Sequence, residues 1–108
     1  MENRIKNIVN ILDTNKAENI DTIDLSKNNY IADVVVIATA LNTRHSLSLL
    51  THLKDDLENE EFIRVEEDGE WSVIDIGDII IHIMTQSHRE KYTLEDFLAS
   101  MKAVEEVE

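Results

Sequence analysis

The stretch "EWSVIDIGDIIIHIM", residues 70–84, decides how the chain folds. It reads as two strands, residues 71–76 and 78–84, hinged at Gly77. Along the first, Trp71, Val73 and Asp75 share one side, while Ser72, Ile74 and Ile76 share the other. Along the second, Ile80, His82 and Met84 point the same way. Upstream, "FIRVEE" reads as a third strand, joined to the first by the turn signal Asp68-Gly69.

Further out, "ADVVVIATA" is a strand buried on both faces, since Val34, Val35, Val36 and Ile37 leave neither face polar. Asn42 or Thr43 caps a helix running to about Asn59, with a core stripe of Leu49, Leu50, Leu53 and Leu57. A helical crossover predicts that the strand after this helix lies parallel to "VVVIATA". "ENIDTIDLS" is a short strand carrying Ile20, Ile23 and Leu25, preceded by a helix over about residues 2–16 with Ile5, Ile8, Val9 and Leu12 on one face. At the other end, Thr93 and Asp96 form a capping-box-like start for a helix striped by Leu94, Phe97, Leu98 and Met101, and residues 102–108 read as a fraying tail. The order is α-β-β-α-β-β-β-α. It predicts one domain over residues 1–108 of the α/β (α+β) class, a mixed five-stranded sheet flanked by helices.

Composition narrows the function. With 43% hydrophobic residues the chain can build a core, and the absence of cysteine removes disulfides, thiolate metal sites and a cysteine nucleophile. "MENRIKNIVNILD" has no uninterrupted apolar core of signal-peptide type, and no apolar run reaches membrane-span length; a cytoplasmic protein without a membrane partner is expected. The net charge is −13, and residues 55–78 hold eleven Asp or Glu against the single base Arg64. Such a field is repelled by nucleic-acid phosphate and favours a basic partner, although acidic surfaces also serve plain solubility.

Three groups of residues are candidates for chemistry. Asp75 and Asp78 are separated by Ile-Gly across a turn rather than alternating on a strand, and the turn that would hold phosphate, Ala40-Leu41-Asn42-Thr43, has no glycine. A turn in which aspartates bond backbone N–H groups and Gly77 takes an unusual φ explains the same residues. His45, His52, His82 and His88 show neither HxH nor HxxxH spacing, so no metal ligands are assigned. Serine on a glycine-flanked elbow is absent, so no catalytic residue and no cofactor are assigned. Trp71 is read either as core or, beside Asp75, as a protein-binding anchor rimmed by charge; periodicity leaves both open.

In order along the chain, "IADVVVIATA", "TRH", the lone tryptophan, "DIGDIIIHIM", "REKY" and "LEDFL" resemble the ribosomal silencing factor, or Iojap-like, family. The likeness spans nearly the whole chain and rests on the register of these pieces, none of which is specific alone. Two departures stand out. The family usually has glycine and serine where this chain has residues 40–43, and often a tryptophan near Leu98.

The resemblance implies a fold distantly similar to nucleotidyltransferases but lacking their catalytic residues. It implies a non-enzymatic factor that binds the large ribosomal subunit through the basic large-subunit ribosomal protein fourteen. Occupying that surface would block an intersubunit bridge, keep the subunits apart and repress translation when nutrients are scarce, with no direct nucleic-acid contact. A homodimer is also implied for the free protein. On this reading Trp71, Asp75, Asp78 and Glu70 face the partner, and Arg44, His45, Gly77, His82, Arg89 and Tyr92 match supporting motif positions. Two rival readings are a magnesium-dependent nucleotidyl-transfer enzyme using Asp75 and Asp78, and an acidic adaptor for a non-ribosomal basic protein.

Overall fold

The computed structural model describes residues 2–27, 30–94, 96 and 98. The elements are α1 (Glu2–Thr14), β1 (Glu18–Asp24), β2 (Val34–Ala40), α2 (Thr43–Asp56), β3 (Arg64–Glu66), β4 (Trp71–Asp75), β5 (Ile79–Thr85) and α3 (Gln86–Tyr92). The five strands form one mixed sheet in the order β1-β2-β5-β4-β3, in which only β2 and β5 pair in parallel. The expected class and element order are both found.

Burial explains this order. β2 is buried at all seven positions and β5 at six of seven, so they occupy the centre, where both faces are covered. β3, with three residues and exposed Arg64 and Glu66, forms an edge. The strand after α2 does run in the same sense as β2, as the crossover predicts. It is not its neighbour, because the more apolar β5 and then β4 lie between them.

One face of the sheet is closed by α1 and α2. Val34, Val36 and Ala38 of β2, Ile74 of β4 and Ile79, Ile81 and Ile83 of β5 pack there against Ile8, Leu12, Leu49, Leu50 and Leu53. The α2 stripe is the expected one, and Asn42 is its cap, accepting from the His45 backbone N–H at 2.8 Å. The helix stops at Asp56, before the expected end near Asn59, and Leu57 closes it through a backbone bond to Leu53. The apolar residues of this region divide: Ile20 and Ile23 are an odd number of residues apart, so strand alternation sends Ile20 to the helix-covered face, while Ile23 and, just past β1, Leu25 join the other.

The C-terminal region departs most from expectation. Residues 86–92, read from sequence only as a polar stretch, form α3, and Thr93 ends that helix in the left-handed region with φ 42°. Leu94, Asp96 and Leu98 beyond it are helical, and the Asp96 N–H bonds to the Thr93 carbonyl, so the expected last helix is met there. Phe97, Met101 and the tail 102–108 lie outside the described residues.

Candidate functional site

The described residues cover the second face of the sheet only in part. Strand pairing sets its side chains in transverse rows: Ile23, Val35, Ile80, Asp75 and Arg64 in one, Asp21, Ile37, His82, Val73 and Glu66 in the next, then Thr39, Met84 and Trp71. Leu25, Val35, Ile37, Met84 and Leu98 make a small buried cluster over β1, β2 and β5, with Tyr30, Leu94 and Trp71 packed against it. Toward β4 and β3 the cover ends, leaving Trp71, Val73, Asp75 and His82 half-buried and Arg64 and Glu66 exposed. The alternation expected for β4 is found, since Ser72, Ile74 and Ile76 are buried on the helix side.

Trp71 is the centre of this open half. Its Nε1–H donates to His82 Nδ1 at 2.9 Å, from the adjacent β5. Tyr92 of α3 brings its ring centroid to 5.2 Å from the indole, and His88, one turn earlier, lies 5.4 Å from Tyr92. His88 Nδ1 in turn stands 2.9 Å from a Glu70 carboxylate oxygen, and the Glu70 carbonyl accepts from the Thr85 N–H. The indole therefore has its hydrogen bond and its aromatic neighbour from within the chain, and the remaining exposed surface is available for apolar or cation–π contact. Burial pushes the His82 imidazole down to about 4, so it stays neutral near pH 7 and Nδ1 keeps the lone pair that the indole needs.

Asp75 and Asp78 do not converge. Asp75 accepts from the Gly77 N–H at 2.8 Å and lies in the open row beside Arg64. Asp78 turns to α1, where the Arg4 guanidinium meets it at 2.6 and 2.9 Å and Glu60 at 2.8 and 2.9 Å. The hydrogen bonds from Arg4 hold the Asp78 carboxyl below its ordinary value. Gly77 between them has φ 101°, the unusual φ read from sequence; of the two aspartates, Asp75 bonds a backbone N–H as expected and Asp78 pairs with Arg4. Among the described residues no three His, Asp or Glu side chains stand together as a metal site. No helix among them is long and apolar enough to cross a membrane.

The supporting positions separate into two places. His45 fastens the head of α2: its Nδ1 accepts from the Leu41 N–H at 3.0 Å, which leaves Nε2 to donate to the Asn15 carbonyl at 2.8 Å. Arg44 is exposed on the same turn. Arg89 and Tyr92 lie with Trp71, on the far side of the sheet from His45's helix. Sequence reasoning missed His88 as part of this group; its signal was the i, i+4 spacing to Tyr92, visible only once residues 86–92 are known to be helical.

Comparison with known proteins agrees with this architecture. The family described as ribosomal silencing factor during starvation matches residues 1–108. Ribosomal silencing factor RsfS of Zymomonas mobilis is 32% identical over 95 residues, covering 84% of this chain and 71% of that protein. The protein of the same name from Haemophilus influenzae is 29% identical over 96 residues, covering 85% and 94%. A crystal structure of a Chromobacterium violaceum protein superposes with a TM-score of 0.85 at 24% identity, covering 91% of this chain and 85% of the other, and so supports the fold. The chain belongs to the ribosomal silencing factor family.

Proposed function

We propose that this protein silences ribosomes by binding the large subunit through large-subunit ribosomal protein fourteen and excluding the small subunit sterically. The observation that carries the reading is the open half of the second sheet face: a half-buried tryptophan already satisfied by His82 and Tyr92, bordered by Glu66, Glu70 and Asp75. An aromatic anchor with an acidic rim suits a basic protein surface. At a net charge of −13 the chain gains nothing from ribosomal RNA phosphate, so affinity must come from such a protein contact. Trp71 is the anchor, and Asp75 and Glu70 supply the rim. Asp78, occupied by Arg4, acts by shaping the turn more than by direct contact. Steric exclusion requires neither cofactor nor reaction, and the protein is proposed to act in the cytoplasm.

Sedimentation of purified large and small subunits tests this. Added protein should co-migrate with the large subunit and lower the joined fraction. Protein that stays at the top of the gradient while the subunits join normally would refute the reading. The same gradients, run at graded protein concentrations, distinguish a monomer from a dimer in the free form.

A further inference from the structure

We propose that Arg89 is the positioning residue of the recognition face, pinning α3 so that Tyr92 and His88 stay against Trp71. This deepens the proposed function and rests on the reading of Trp71 as anchor. α3 has only seven residues and no side-chain cap at its start, so it has little helical stability of its own. Arg89 is its one buried residue, 8% exposed. The guanidinium reaches across the sheet. Nη1 donates to the Asn19 carbonyl and, at 2.8 Å, to the Thr39 hydroxyl; Nη2 donates to the Asp21 carboxylate.

These acceptors belong to two strands, and their placement depends on the irregularity in β1. Asn19 sits there at φ 47°, and the register between Glu18 and Asp21 slips. One side chain thus ties α3 to β2 and to the edge strand β1. Three residues further along α3, Tyr92 meets the indole, and one residue earlier His88 meets Glu70. Residues three and four apart share a helix face, so a rotation of α3 that frees Arg89 displaces Tyr92 and His88 together. A guanidinium suits this task because its planar fork fixes direction, which a lysine ammonium does not.

The lone tryptophan makes the proposal measurable, since Trp71 emission reports the docking of α3 without any ribosome present. Arg89→Met keeps the volume and leaves Asp21 and Asn19, both exposed, to water. It should shift Trp71 emission to longer wavelength and weaken large-subunit binding about tenfold, the size of losing charge-assisted hydrogen bonds. Arg89→Lys should recover only part of either signal. Asp21→Asn, which removes the charge from one acceptor, and Thr39→Val, which removes the hydroxyl acceptor, carry little risk to folding and should move both readouts the same way by about two- to threefold.

Native emission and native affinity in Arg89→Met, with only a lowered Tm, would overturn the proposal. If that variant does not fold, unchanged emission and affinity in both Asp21→Asn and Thr39→Val overturn it instead. Trp71→Ala separates the two readings. If it binds large subunits as tightly as the parent, the recognition face is wrong, while the emission of the Arg89 variants still decides whether Arg89 holds α3.

Discussion

The two faces of the sheet are built from the same strands and do different work. On the helix-covered face β2 and β5 contribute aliphatic side chains as far as Ala40 and Ile83, and α1 and α2 exclude water from it. On the other face the same strands contribute Thr39, His82 and Met84, and the cover thins from β1 toward β3. The first face supplies stability through burial of apolar surface. The second keeps an aromatic, half-buried surface that folding alone has no need to expose. Under the proposed function, the partly open face is the place for the partner and the closed face is the base beneath it.

The largest effect should come from breaking the closed face. Ile81, fully buried at the sheet centre, replaced by alanine should destabilise the fold by about 2–5 kcal/mol, read as a lower urea midpoint. Ribosome binding by the molecules that remain folded should be unchanged. A matching loss of affinity in that folded population would erase the division between the faces.

Trp71→Ala should give the opposite pattern. Affinity for the large subunit should fall by about 2 kcal/mol or more, roughly thirtyfold, with a smaller change in Tm because the residue is only half-buried. Equal affinity in a sedimentation titration would refute the anchor.

Gly77→Ala tests the turn that joins β4 to β5. At φ 101° a side chain is strained, and the added Cβ would lie 3.2 Å from the Ile63 side chain, so a loss of about 1–3 kcal/mol is expected in thermal melts. An unchanged Tm would show that the turn relaxes freely.

A pH dependence belongs to the open face alone. The folded-state pKa of His82 lies at about 4, below its ordinary 6.5. The unfolded chain therefore binds the extra proton first, and the stability linked to neutral His82 is complete above pH 6.5 and lost progressively down to about pH 4. Near and below pH 4 the Nδ1 lone pair is protonated and the Trp71 bond to it fails. Titration of the His82 ring by NMR, followed beside Trp71 emission, should show both changing together. An imidazole that titrates near 6.5 would contradict this.

The positions proposed for recognition fared unevenly as sequence features. Gly77 and Asp75 were legible because an Asx-type turn has a local signature in residue type and spacing. Tyr92 was reached only through the family resemblance and His88 not at all, because α3 lacks an apolar stripe and is held by Arg89 contacts to residues 50 to 70 positions away. Asp78 illustrates the converse. Its sequence neighbours suggest a partner for Asp75, yet Arg4, 74 positions distant, claims the carboxylate.

Period, capping and composition thus specified the element order, the closed core stripe of α2, the sidedness of β4 and the acidic character of the surface. These depend on residues within a turn or two of one another, or on totals. Only the tertiary structure decided that β5 and β4 stand between β2 and β3, that the register of β1 slips between Glu18 and Asp21, and that α3 closes on Trp71. Each of those outcomes is set by competition among distant segments for one buried position or one charged partner, and no local window of the chain records who wins.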